Sequence, residues 1–362
     1  MLNRLHIAVI LLLGFVFAAA GDETDAPEAA RNYLIHVWQT DSGLPENWVS
    51  SIRQTPDGYL WIGTRYGGLA RFDGVRFVTF TPENTPELKD VQVEHLDVDE
   101  TGRLWIAMGN ESVTTFQHGQ FQLIRHPRAE PRFRAVHVLT IRSNQVLLTG
   151  EFPYLACFNL SAGHDEGTLL DPRGTIEPEP DSFSLDQNGI VWFITQRRRL
   201  GRFENDHFEF ATNAPGLNGA AVTALATDTN HLLWAASAQR LLRWDGQRFL
   251  NCTPANGAPP DDVLQMSFSG DGGLWVLEKN RLRKFLNGEW VVAADPQQFQ
   301  PDTTEGTFRL HGDAQGNAWL ISYGHGLWHI KTDGAVRLLK ERDGLPSNFI
   351  TRWFQDAEGD FW

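Results

Sequence analysis

A short segment rich in glycine and aromatic residues returns about every 43 residues along this chain, and it limits the fold more than any other feature. The clearest copies are Asp57-Gly58-Tyr59-Leu60-Trp61, Thr101-Gly102-Arg103-Leu104-Trp105, Asn188-Gly189-Ile190-Val191-Trp192 and Asp271-Gly272-Gly273-Leu274-Trp275. Two more are Gln315-Gly316-Asn317-Ala318-Trp319 and Glu358-Gly359-Asp360-Phe361-Trp362. In Leu232-Leu233-Trp234 the glycine is replaced by Asn230-His231, and Gln145-Val146-Leu147-Leu148 fills the remaining slot with leucine for tryptophan. The anchors are Trp61, Trp105, Leu148, Trp192, Trp234, Trp275, Trp319 and Trp362, spaced 41 to 44 residues apart. A period of about 40–45 residues matches propeller blades of four strands.

The first unit reads as one such blade. Residues 49–54 form an inner strand and 55–58 a Thr-Pro-Asp-Gly turn, whose glycine supplies a positive φ. Strands follow over 59–64 and 68–72, then an Asp73-Gly74 hairpin and an outer strand over 76–80. The expected fold is all-β, an antiparallel meander repeated around a ring. The third unit departs most, because 164–180 is rich in proline and charge and shows no clear fourth strand.

Blade number follows from a second echo. Gly43-Leu44-Pro45-Glu46-Asn47 returns as Gly344-Leu345-Pro346-Ser347-Asn348, 301 residues later, which is seven periods of 43. The expectation is a seven-bladed propeller over 33–343, with 344–362 as the first strands of a second propeller. Residues 33–38 resemble an outer strand and are expected to help close the seventh blade. The chain stops inside a second strand, so it reads as the amino-terminal part of a longer protein.

Arg4, the apolar run 7–17 and Ala18-Ala19-Ala20 have the pattern of a secretory signal peptide over 1–20, followed by a polar linker over 21–32. The run is shorter than the ~20 residues of a membrane span, so export to a periplasm is expected. A net charge of −14 argues against nucleic acid as a partner. Cys157 and Cys252 fall in the third and fifth units, too far apart for a bridge, and are expected as separate thiols.

The tryptophans read as packing between blades, and the Asp-x-x-Gly turns as turns, since one carboxylate per turn does not converge on an ion. No cofactor or metal motif is present. The histidines lack zinc spacing, and no carboxylate pair or serine-hydrolase signature stands out. A ligand would meet the loops between second and third strands and those between blades, which share one face. The candidates there are Arg65, Tyr66, Asn110, Glu111, Glu151, Arg197, Arg198, Lys279, Tyr323 and His325.

The first unit, from Trp38-Gln39-Thr40-Asp41-Ser42-Gly43-Leu44-Pro45 through Asp57-Gly58-Tyr59-Leu60-Trp61-Ile62-Gly63-Thr64 to Gly68-Leu69-Ala70-Arg71-Phe72-Asp73-Gly74, closely resembles the two-component regulator propeller repeat. The likeness is dense in units one and eight, clear in five to seven, thinner in two and four and weak in three. It implies the periplasmic sensor region of a bacterial signalling protein, non-catalytic in this part. The missing remainder would hold a membrane helix and an output such as a histidine kinase or a cyclic-dinucleotide synthase. It further implies a carbohydrate or other small-molecule ligand, a homodimer in the full-length protein, and membrane attachment only through the missing parts. An exported scaffold for proteins or glycans, and a propeller glycosidase or lyase, are the competing readings.

Overall fold

The computed structural model describes residues 4–6, 34–110, 112–124, 135–142, 145–150, 155–159, 167–169, 183–195, 197–204, 207–256, 260–279, 281–294, 299 and 308–362. They divide into two compact units, Met1–Pro172 with Leu339–Trp362, and Arg173–Leu338. Each unit is built from antiparallel four-stranded sheets in which consecutive strands are neighbours. The protein is an all-β propeller assembly.

Blade one is Val49–Gln54, Leu60–Thr64, Leu69–Phe72 and Phe77–Phe80, within a residue of the strands read from sequence. Blade two follows as Val93–Val98, Leu104–Met108, Val113–Gln117 and Gln120–Ile124. The second unit repeats the plan four times, with second strands Val191–Ile194, Leu233–Ser237, Leu274–Glu278 and Ala318–Ser322. Six blades are thus described in full where the repeat count predicts seven. The third unit forms a sheet traced in its backbone only, over Ala135–Arg142, Gln145–Gly150, Leu155–Asn159 and Gly167–Leu169. Its fourth strand corrects the expectation of none: Gly167–Leu169 pairs with residues 156–158. The Leu148 and Cys157 side chains lie outside the described residues.

Two further expectations change. The outer strand of the seventh unit is Val336–Leu339, and Leu34–His36 pairs instead, in parallel, with Arg4–His6. Apart from those three residues, the leader and linker lie outside the described residues. Segment 344–362 packs on blade one. Trp362 is buried among Leu44, Ile52, Ile62 and Phe72, its indole 5.7 Å from the Phe72 ring.

The second strand of each blade holds the sheets together. Leu60–Thr64, Leu104–Met108 and Leu274–Glu278 are buried along their whole length, as strands covered on both faces must be. Three of the tryptophans reach the third strand of the next blade. Trp61 lies 4.6 Å from Phe116, Trp192 lies 5.3 Å from Trp244, and Trp234 lies 5.6 Å from Phe285. At ~25 cal/mol per Å², burying an indole's ~150–250 Å² is worth at most about 4–6 kcal/mol. Gly63 permits this closeness. A β-carbon there would stand 2.5 Å from Val93 Cγ1 on the inner strand of blade two.

Candidate functional site

A bulge opens the inner strand of several blades. The register shifts between Val49 and Ser51 in blade one, Val93 and His95 in blade two, and Val222 and Ala224 in blade five. The residues left unpaired are Ser50, Glu94 and Thr223. A bulge turns its extra side chain away from the regular pleat. Ser50 and Glu94 are turned into one cavity and Thr223 into another.

The first cavity, of about 360 Å³, is walled by Trp48, Val49, Ser50, Arg65, Gln92, Val93, Glu94, Thr351 and Arg352. It lies within the first compact unit. Local geometry fixes its rim. Arg65 N–H donates to the Trp48 carbonyl (3.0 Å), and Trp48 N–H donates to Glu46 Oε1 (2.7 Å). These bonds tie the loop after the second strand to the entry of the first. The Arg65 guanidinium lies 4.5 Å from the Trp48 ring centre and 5.6 Å from that of Tyr66, and the two rings meet edge to face at 6.4 Å. Cation–π attraction holds the trio, yet Trp48 is 46% exposed and Tyr66 61%. Among the described residues nothing hydrogen-bonds the buried Arg65 Nε. Deeper in, Ser50 Oγ donates to the Val93 carbonyl and Gln92 Nε2 to Glu94 Oε1 at 2.6 Å.

Such a cavity offers aromatic surface, a guanidinium, a carboxylate and an amide in a small concave space. That combination suits reversible binding of a polar ring-bearing molecule.

Of the residues singled out from sequence, Arg65 and Tyr66 come together here. Arg198 lines a separate cleft in the second unit. Asn110 is a turn brace: its Nδ2 donates to the Lys89 carbonyl and its Oδ1 accepts from Ser112. Arg197, Lys279, Tyr323 and His325 are exposed and line neither space. Glu111 and Glu151 lie outside the described residues. Sequence reasoning missed Trp48, Gln92, Glu94 and Arg352. One signal was available: Trp48 recurs as Phe349, 301 residues on, and Phe349 is 58% exposed.

Residues 43–66, which end on Arg65 and Tyr66, match the family model described as two component regulator propeller. These residues are a two component regulator propeller repeat. No curated protein matches the chain. Among solved structures, the extracellular domain of a one component system of B. thetaiotaomicron is 13% identical, with a TM-score of 0.34, over 87% of this chain and 52% of its own. The chain therefore spans about half of that domain. The extracellular domain of a hybrid two component system of the same organism is 15% identical at TM-score 0.31, over 90% and 57%. The computationally designed Ika8 protein is 15% identical at TM-score 0.57, over 87% and 95%. At such identity the last likeness speaks to the fold alone.

Proposed function

We propose that this chain is a non-catalytic sensing propeller, exported to the periplasm, belonging to a two-component type of signalling protein. The observation that carries this reading is the match of residues 43–66 to the regulator propeller repeat, within which Trp48, Val49, Ser50 and Arg65 wall an open cavity. In this reading the repeats are propeller blades, and a membrane helix and a histidine kinase or similar output lie in the parent protein. A carbohydrate stacks on Trp48 and Tyr66 and bonds to Arg65 and Glu94. Pairing of two ectodomains then changes, because a ligand shifts such an equilibrium only by favouring one state.

The test is calorimetric titration of the chain with oligosaccharides, in parallel with Trp48→Ala and Arg65→Ala variants. Binding that both substitutions weaken by about tenfold or more supports the reading. A chain that binds no oligosaccharide, or binds one equally well without Trp48, overturns the site.

A further inference from the structure

We propose that blade five carries a second site, built for a small zwitterion such as a free α-amino acid. It occupies the cleft between residues 237–240, which follow the second strand, and 260–263, which enter blade six. The cleft lies wholly within the second compact unit and holds about 220 Å³. That is below the ~300–1,000 Å³ of sites for drug-sized molecules, so the ligand is small.

Charge decides the class. Arg198 and Arg240 stand on the blade-four and blade-five side, and Asp261 and Asp262 stand on the blade-six side. Among the described residues none of these four forms an ion pair. Their side-chain bonds are to uncharged groups: Arg240 Nη1 donates to the Gly216 carbonyl at 3.2 Å, and Gln239 Nε2 lies 3.5 Å from Asp261 Oδ1, while the Asp261 backbone N–H donates to Glu278 Oε1. An anion alone would face the two carboxylates, and a cation alone the two guanidiniums. A neutral sugar would leave both sets uncompensated. A molecule bearing a carboxylate and an ammonium a few bonds apart answers both walls at once.

The floor points the same way. Ala221, Ala236 and Ala238 leave room for a short side chain but supply no aromatic surface for stacking. Ser237 is buried, and among the described residues its Oγ has no hydrogen-bond partner. A buried hydroxyl without a partner is unfavourable, and a bound carboxylate would give it one. The rim is held in a sparsely populated conformation: φ is +49° at Ala238, +61° at Gln239 and +43° at Asp262. Ala238 and Gln239 are the two central residues of the hairpin between the second and third strands, where a type I′ turn needs positive φ at both, and they fix the shape of that rim.

The experiment is a thermal-shift and calorimetric screen of the whole chain against the free L-amino acids at millimolar concentration. The best amino acid is then compared with its N-acetyl and methyl ester derivatives, each of which lacks one charge. The expected result is binding of the free amino acid, weakened about tenfold or more in each derivative and in Asp261→Asn and Arg240→Gln. Ser237→Ala, which removes no existing bond, should keep the melting temperature and lose affinity. Trp48→Ala should leave this binding unchanged, so the two sites fail or stand separately. No binding by any amino acid, or equal binding of the ester and the N-acetyl form, overturns the proposal.

Discussion

Asp99 does two jobs with two oxygens. Its Oδ1 accepts from the backbone of Thr101 and Arg103 and from the Thr101 hydroxyl, and its Oδ2 accepts the Trp105 indole N–H at 3.0 Å. The same Asp-to-Trp bond, six residues apart, recurs in Asp186–Trp192, Asp228–Trp234, Asp313–Trp319 and Asp356–Trp362. The turn carboxylate is therefore spent on fixing the tryptophan. Asp99→Ala should strand several buried donors at roughly 1–3 kcal/mol each, a loss that urea unfolding would read. A second residue sets a pH dependence. His329 stacks on Trp319 at 4.0 Å, and burial first, with Lys331 and Arg337 adding, pushes its pKa from 6.5 to about 4 against the pull of Asp313. The folded chain holds this imidazole neutral. Above pH 6.5 its full stability is present. Below that the unfolded chain takes the proton first, so stability falls until about pH 4, by up to roughly 3 kcal/mol. His329→Phe should flatten the unfolding free energy across that window. Cys252 is a free thiol, half-buried against the core between blades five and six, and burial raises its pKa.

Within a blade, the residue paired across from the tryptophan is usually a cation. Arg71 faces Trp61, Arg202 faces Trp192, Arg243 faces Trp234 and Lys284 faces Trp275. Their charges lie 5.5 to 5.9 Å from the indole centres, a weak but repeated attraction. Blades one and six depart from the aspartate plan: Thr55 accepts the Trp61 indole N–H in blade one, and Ser269 holds the position in blade six. There Trp275 Nε1 and Lys284 Nζ both donate to the Gly316 carbonyl of the next blade, and Lys284, only 2% exposed, also bonds Asp271. Burial would raise the Asp271 carboxyl; bonds from Lys284, Ser269 and Gly273 outweigh it and hold its pKa below the usual range. Contact between neighbouring blades is closest where glycine allows it. Gly63→Ala should force Val93 aside and cost about 1–3 kcal/mol, as overpacking does, read as a lower denaturant midpoint. The strands and turns of blade one were legible because local turn chemistry and aromatic spacing agree. The short outer strand of the third unit was not, because Gly167–Leu169 is set by pairing with residues 156–158 and by no pattern of its own.

At the scale of the molecule, the 301-residue echo makes 344–362 a copy of the first unit, and the packing gives that copy a task. Trp362 stands against Phe72 of blade one much as Trp61 stands against Phe116 of blade two. Gln54 ties the same contact, donating to Glu358 at 2.9 Å and accepting from Ala357 N–H at 2.8 Å. Trp362→Ala should therefore destabilise the first unit by about 3–5 kcal/mol. A melting temperature unchanged by that substitution would mean the segment is a passive start of something else.

The sequence by itself determined the repeat, the all-β blade and the tryptophan ladder, because strand periodicity and Asp-Gly turns are local codes that each unit states again. It also marked Arg65 and Tyr66, since loop residues that break a repeat stand out against it. Tertiary structure alone decided which side chains share a cavity. Trp48, Glu94 and Arg352 are far apart in the chain and meet only because neighbouring sheets pack face to face. The bulges that aim Ser50, Glu94 and Thr223 are a matter of strand register, which depends on the partner strand and not on the residue.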